Sequence, residues 1–230
     1  MILAVDDYHS AYSQFWGRLG EISIDVERMF QNPGDFELVC FTGGQDVSPH
    51  LYGHRNLNSS CSQARDEKEL LIFEMAKKHK IPMTGICRGS QFLNVMCGGS
   101  MVQHLSVQHG GFQHECRTAD ARQFGVTSSH HQMSVLGPEG TLLAWADTMV
   151  PVDSLVYDGD VTPLLEEMGS LSDDGRLSLV TEAFFYPKER VFAVQHHPEW
   201  QKDDQEAPKW TLQKIKELCW GEPSKMLATL

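Results

Sequence analysis

A cysteine between two glycines stands where a buried strand is predicted to give way to a helix. The segment covers residues 85–91 (GICRGSQ), and its G-x-C-x-G spacing is that of a nucleophile elbow, a turn too sharp for side chains at the flanking positions. A helix amino terminus favours a thiolate over a thiol, and Arg88 adds positive charge beside Cys87. A cysteine among apolar neighbours is usually an inert core residue. Here the two glycines and the strand-to-helix context predict instead that Cys87 is a nucleophile.

A thiolate nucleophile needs a general base, and residues 195–199 (QHHPE) supply one after a predicted strand. Pro198 biases His197 toward an extended backbone, in which residues two apart project to the same side. His197 would then be the base and Glu199 the carboxylate that orients it. The segment also fits a surface His-Pro turn, so taken alone it leaves both interpretations open.

These residues need elements that bring them together, and the hydrophobic pattern predicts such elements. Strand, helix, strand, helix along the first half of the chain predicts a parallel sheet with helices on both faces. A turn at residues 186–189 (YPKE) predicts an antiparallel hairpin, whereas the glycine- and histidine-rich residues 99–125 predict long loops. The predicted strands are residues 2–5, 37–41, 81–86, 142–146, 177–185 and 191–195, and the predicted helices are residues 65–80, 88–96 and 209–220.

The chain has 230 residues, of which 41% are hydrophobic and 22% charged, and its formal net charge is −12. That size predicts one domain over residues 1–230, with a core deep enough to fold without a disulfide or a structural metal. The negative charge argues against nucleic acid and anionic membrane surfaces as partners. No apolar run approaches the ~18 residues of a membrane span and the amino terminus turns acidic too early for a secretory signal, so we expect a cytoplasmic protein. The six cysteines form no CxxC pair, which fits free thiols in a reducing compartment.

Several motifs between about residues 41 and 200 occur in an order typical of one family. They are residues 42–47 (TGGQDV) followed by Tyr52-Gly53, Arg65-Asp66, residues 85–91 continuing through Asn94 to Gly98-Gly99, residues 128–132 (SSHHQ) and residues 194–199 (VQHHPE). In these motifs the chain resembles the class I glutamine amidotransferase-like proteins, and within them the γ-glutamyl-γ-aminobutyrate hydrolase (peptidase C26-type) group. The resemblance implies an α/β fold: a three-layer α/β/α sandwich with a flavodoxin-like, mostly parallel central sheet and an added antiparallel hairpin.

The same resemblance implies roles for individual residues. Cys87 is the nucleophile, His197 the acid and base, and Glu199 its orienting carboxylate. The backbone amides of Gly44 and Arg88 form the oxyanion hole. The expected substrate-binding residues are Gln91, Ser129, His130 and His131, although the two histidines also fit a polar loop with no site function.

The expected activity is cysteine-dependent hydrolysis of a γ-glutamyl amide, with a small-molecule γ-glutamyl-amine or glutamine as substrate and no cofactor. An alternative is a glutaminase subunit that supplies ammonia to a separate synthetase, and a catalytically silent binding protein on the same fold is a third. A homodimer is a further partner to consider. The acidic composition weakly favours a cationic leaving amine such as a polyamine.

Several histidines need a separate interpretation. His196 stands where the family usually has an aromatic residue, so it competes with His197 for the catalytic role. His104, His109 and His114 recur every five residues, a spacing that fits neither a helix nor a strand face, and we expect polar loop residues near the cleft. No H-E-x-x-H motif is present, and the pattern predicts no metal site. The five tryptophans are expected to be packing residues.

Overall fold

Four short apolar strands form the centre of the molecule. The structure is a computed structural model that describes residues 1–6, 10–105 and 110–221, with the backbone alone described for residues 110–112. The described strands are β1 (Ile2–Val5), β2 (Ile22–Ser23), β3 (Leu38–Phe41), β4 (Met83–Ile86), β5 (Ser100–Val102), β6 (Gly110–Thr118), β7 (Gln123–Ser129), β8 (Met133–Val135), β9 (Thr141–Pro151), β10 (Arg176–Tyr186) and β11 (Val191–Val194). Strands β1, β3, β4 and β11 are buried along their whole length, as expected of parallel strands covered on both faces.

The described helices are α1 (Ala11–Trp16), α2 (Val26–Gln31), α3 (Gln63–Lys78), α4 (Arg88–Met96), α5 (Thr162–Glu167) and α6 (Glu206–Lys214), the last continued by a π-helical turn (Ile215–Cys219). One core cluster contains Trp16 of α1 and Trp210 of α6. A second cluster contains residues of α2, α3 and α4, among them Phe73 and Phe92. These two clusters take alternate residues of β1 and so lie on opposite faces of the sheet, which confirms the three-layer α/β/α sandwich. No helix in the described ranges is long and apolar enough to cross a membrane.

The large sheet has the strand order β2-β1-β3-β4-β11-β10-β9-β6-β7. Strands β2, β1, β3, β4 and β11 run parallel, and β10 returns antiparallel to β11 as the predicted hairpin. The antiparallel part extends beyond that hairpin, because β9, β6 and β7 continue it. Strands β5 and β8 form a separate antiparallel pair.

The prediction of long loops over residues 99–125 was wrong, because β5, β6 and the start of β7 lie there. Strands β6 and β7 have one buried face, so exposed residues alternate with buried ones. In β7, Phe124, Val126 and Ser128 are buried and Gln123, Gly125 and Ser129 are exposed. His114 is on β6, and His104 makes an isolated bridge with Val156. His109 lies outside the described residues.

Two glycines allow α4 to start directly against the sheet. A Cβ on Gly85 would lie 2.5 Å from the carbonyl carbon of Gly89, and a Cβ on Gly89 would lie 2.2 Å from the carbonyl oxygen of Phe41. Both obstacles are backbone atoms, which cannot rotate away. The glycines of the elbow are therefore required by backbone packing between β3, β4 and α4.

Gly89→Ala should lower the free energy of unfolding by about 1–3 kcal/mol, because the new methyl group overpacks the contact between α4 and β3. Urea denaturation followed by circular dichroism measures the change. Gly34→Ala is the matched control, since nothing lies within 4 Å of its Cβ position, and it should change the same quantity by less than about 1 kcal/mol. Equal stabilities of the two variants would contradict this account of Gly89.

Candidate active site

Cys87 lies at the junction of β4 and α4 with a backbone that few non-glycine residues adopt. Its φ is 53° and its ψ is −114°, and its amide donates to the carbonyl oxygen of Val194 at 3.0 Å. A strained nucleophile on a tight strand-to-helix turn is the geometry of a nucleophile elbow. Cys87 is 7% exposed, so only a small part of it faces solvent. The predicted elbow is present in the fold.

His197 and Glu199 follow β11, the strand beside β4, and lie against Cys87. His197 Nδ1 is 2.6 Å from Glu199 Oε1, and the side chain of His197 is hydrogen-bonded to Cys87. The His197 amide donates to the carbonyl oxygen of Thr127 at 2.7 Å, which ties the segment to β7. The structure thus brings the three predicted residues into one chain of contacts from sulfur to imidazole to carboxylate.

The charge state of His197 is set by its two partners. Burial by itself lowers the pKa of His197, but the negative charges and hydrogen bonds of Cys87 and Glu199 outweigh it and raise that pKa to about 10. At neutral pH the imidazole therefore carries a proton on both nitrogens. This imidazolium lies between Cys87 and the Glu199 carboxylate, an arrangement in which a histidine can act on a cysteine side chain.

The end of β3 approaches the nucleophile without side chains. A Cβ on Gly43 would lie 3.4 Å from His197 Cε1 and 3.5 Å from Cys87 Cβ. The Arg65 guanidinium donates to the carbonyl oxygens of Thr42 and Gly43, each at 3.0 Å, and so fixes the strand end. Gly44 has φ 143° and lines the cleft, with Arg65 packed against it. The backbone at Gly44 is therefore exposed to the same space as Cys87.

Arg88 contributes differently from the sequence prediction. Its side chain is 1% exposed and pairs with the buried carboxylates Asp66 and Glu69 of α3. The guanidinium charge is therefore compensated by two buried carboxylates, so the predicted net positive charge beside Cys87 has no support from this side chain. The Arg88 amide is the first of α4, a position where no intrahelical acceptor is available.

A cleft of about 720 Å³ opens above Cys87. Its charged lining residues in the described part of the chain are Asp6, Arg65 and Lys68, besides His197. Asp6 is paired with both cations. The acidic composition of the whole chain is not repeated in the cleft, so the expectation of a cationic leaving amine has no support from the lining.

Of the four predicted substrate-binding residues, one lines the cleft. Ser129 lines the cleft, whereas Gln91, His130 and His131 are not among its lining residues. Gln91 is 3% exposed and donates to Gln195 Oε1 at 3.1 Å. His131 Nε2 is 3.3 Å from Asp46 Oδ1, and a hydrogen bond to that carboxylate raises the pKa of His131.

His130 and His196 belong to a buried cluster around Glu182 of β10. Glu182 Oε1 is 3.0 Å from His114 Nε2 and 3.5 Å from His130 Nε2, and its Oε2 is 3.4 Å from His196 Nδ1. Burial alone would raise the pKa of Glu182, but its contacts with the three histidines hold it well below its usual range. His196 and His197, although adjacent in the chain, therefore have different surroundings. His197 faces the cleft, whereas His196 is fully buried and faces Glu182.

The sequence did not identify two of the residues that line the cleft. Trp200 stacks on His197 with ring centroids 3.6 Å apart and an interplanar angle of 1°, so the view of all tryptophans as packing residues was wrong for this one. Its position directly after Glu199 was a signal that could have identified it. Tyr12 of α1 lies in the cleft beside Gly43. No motif pointed to Tyr12, because α1 is far from the other site residues in sequence.

We found no set of three or more His, Cys, Asp or Glu side chains arranged to hold a metal ion among the residues that the structure describes.

Comparison with known proteins agrees with this geometry. The Peptidase C26 family model matches residues 24–199. A Schizosaccharomyces pombe protein provisionally named a glutamine amidotransferase is 32% identical over 172 residues, 73% of this chain and 63% of the relative. The γ-glutamyl-γ-aminobutyrate hydrolase PuuD of Escherichia coli is 30% identical over 165 residues, 69% of this chain and 62% of the relative. The alignments thus span less than two thirds of either curated relative.

Among solved structures, a glutamine amidotransferase from Thermotoga maritima superposes with a TM-score of 0.56 at 17% identity, over 99% of this chain and 88% of that one. At that identity the likeness concerns the fold. The family match covers most of the chain and includes the elbow, the SSHHQ segment and the His-Pro-Glu segment. The chain therefore belongs to the Peptidase C26 family, with a glutamine amidotransferase-like fold.

Proposed function

We propose that this protein is a cysteine-dependent hydrolase that cleaves the γ-glutamyl amide bond of a γ-glutamyl-amine or of glutamine. The observation that carries the proposal is the contact chain from Cys87 through His197 to Glu199, placed in an open cleft on a strained elbow. Membership of the Peptidase C26 family supports the reaction class. The relative named as a γ-glutamyl-γ-aminobutyrate hydrolase supports the γ-glutamyl group as the acyl part of the substrate.

The first half of the proposed reaction forms a thioester. The Cys87 thiolate attacks the γ-carbonyl carbon, and the carbonyl oxygen takes up negative charge facing the Gly44 and Arg88 amides. One such donor is worth about 10²- to 10³-fold in rate. The imidazolium of His197 gives its proton to the nitrogen, the carbon–nitrogen bond breaks, and the amine leaves.

The second half returns the enzyme to its starting state. Neutral His197 removes a proton from water, the water oxygen attacks the thioester carbon, and the carbon–sulfur bond breaks to release glutamate and the Cys87 thiolate. Glu199 holds the imidazole by its Nδ1 throughout, so Nε2 remains directed at Cys87. His197 recovers its proton from the water, and the net reaction consumes one water per amide.

Wild-type protein should release glutamate from γ-glutamyl-amines, and Cys87→Ala should release none, because the variant lacks the sulfur that forms the thioester. Mass spectrometry of incubations with glutamine and a panel of γ-glutamyl-amines measures the released products. Mass spectrometry of the intact protein detects the thioester as a γ-glutamyl group bound to the chain. Turnover of γ-glutamyl-amines with little release from glutamine identifies a stand-alone hydrolase. Turnover of glutamine alone would indicate the ammonia-supplying subunit instead, and full activity of Cys87→Ala would exclude both.

His197→Ala should abolish acylation, whereas His196→Ala should only weaken activity, because His196 faces Glu182 and not the cleft. The two positions are adjacent, so each variant is the control for the other. A single-turnover assay of amine release measures acylation. The opposite ranking would assign the catalytic role to His196.

Cys87→Ala should also lower the pKa of His197 from about 10, because the thiolate that stabilises the imidazolium is removed. Histidine NMR between pH 6 and 11 measures the titration. In wild-type protein the imidazolium persists at neutral pH and is lost as the pH rises through about 10; in the variant this loss occurs at lower pH. His131 is the internal control, since its raised pKa comes first from Asp46 and should not move. An unchanged His197 titration would argue against a thiolate–imidazolium pair.

A further inference from the structure

We propose that the Tyr12 hydroxyl is a further catalytic group of this site, which contacts the departing nitrogen during acylation and the attacking water during deacylation. This inference rests on the proposed hydrolase function and adds a residue to it. Tyr12 belongs to none of the motifs by which the chain resembles its family, and it reaches the cleft only because α1 packs beside the His-Pro-Glu segment.

The ring of Tyr12 is held in place by its own helix. It stacks on the fully buried Trp16 with centroids 5.7 Å apart and an interplanar angle of 25°. Tyr12 is 7% exposed, yet it is among the residues that line the cleft. An aromatic ring fixed in this way presents its hydroxyl to the cleft at little further cost in conformational entropy, which suits a group that must act in one geometry.

The Tyr12 hydroxyl, the His197 ring and Cys87 surround one position beside Gly43. The position that a Cβ on Gly43 would occupy lies 2.5 Å from the Tyr12 hydroxyl oxygen, 3.4 Å from His197 Cε1 and 3.5 Å from Cys87 Cβ. Any side chain at position 43 would displace the hydroxyl. The glycine therefore makes room for a polar group between the base and the nucleophile, besides allowing β3 to approach them.

Tyr12 is a neutral phenol at every pH at which the enzyme would work. Burial raises the pKa of Tyr12 most, and the negative charges of Glu199 and Cys87 raise it further, well above its usual range. A hydrogen bond from the backbone of Gly43 acts in the opposite direction, as expected when an amide N–H donates to the phenol oxygen. The phenol O–H is then available to donate into the cleft, and the oxygen retains a second lone pair.

The departing nitrogen and the attacking water share this point of contact. His197 protonates the nitrogen in one half-reaction and deprotonates the water in the other, so both atoms must occupy the same place beside its ring. The Tyr12 hydroxyl borders that place, since the hydroxyl, the His197 ring and Cys87 all lie within 3.5 Å of the position that a Cβ on Gly43 would occupy. It can accept an N–H of the leaving amine first and donate to the water oxygen afterwards. No proton is transferred to or from Tyr12 in either step.

The test is Tyr12→Phe, which removes one oxygen and keeps the ring that stacks on Trp16. With L-γ-glutamyl-p-nitroanilide and L-glutamine as probes, kcat/KM should fall about 10- to 100-fold, mainly through kcat. Added hydroxylamine, a stronger nucleophile than water, competes for the thioester and yields γ-glutamyl hydroxamate. The ratio of hydroxamate to glutamate should rise in the variant, because water loses a contact on which hydroxylamine depends less.

Tyr157→Phe is the matched control: its hydroxyl is 3.0 Å from Ser100 Oγ, it does not line this cleft, and its loss should leave the rates and the product ratio at wild-type values. Wild-type rates in Tyr12→Phe would overturn the inference. A lower rate with an unchanged product ratio would also overturn it, since that result indicates a structural role alone. Either result in an enzyme that still requires Cys87 leaves the proposed function intact, whereas activity in Cys87→Ala would remove the proposed function itself.

Discussion

The strained backbone at Cys87 is the constraint on which the rest of the site depends. A residue with φ 53° and ψ −114° persists only where its surroundings hold it, and here the hydrogen bond from the Cys87 amide to the Val194 carbonyl oxygen and the backbone contacts of Gly85 and Gly89 do so. The strain turns the chain sharply enough to place the thiol at the start of α4. A relaxed residue would continue β4 and leave the sulfur inside the core.

Strand order then decides which groups meet the thiol. Strands β3 and β11 flank β4 in parallel, so the segments that follow all three emerge at one edge of the sheet. One flank brings the bare backbone of Gly43 and the other brings His197. This is the general location of sites in open parallel sheets, and it explains how residues far apart in sequence become one unit.

Buried charged side chains hold the segments on both sides of Cys87 in position. Arg88 and Arg65 both pair with Glu69 of α3, and Arg65 extends this network to the carbonyl oxygens at the end of β3. On the other side, Glu182 contacts three histidines from separate segments, one of which is His196, the neighbour of His197. Removing one member of such a buried group leaves an uncompensated charge, which typically costs about 3–5 kcal/mol. The positions of the segments around Cys87 therefore depend on interactions that also stabilise the fold.

The sequence by itself determined the elbow, the His-x-Glu pair and the elements β1, β3, α3, β4 and α4, because glycine spacing and apolar runs are local signals. It did not determine β6 and β7, whose half-buried pattern resembles a polar loop. Nor did it determine the different surroundings of His196 and His197, which are adjacent in the chain. Tyr12 and Trp200 entered the cleft through packing of α1 and of the turn after β11. Contacts of this kind depend on distance in space, and the order of residues along the chain carries no record of it.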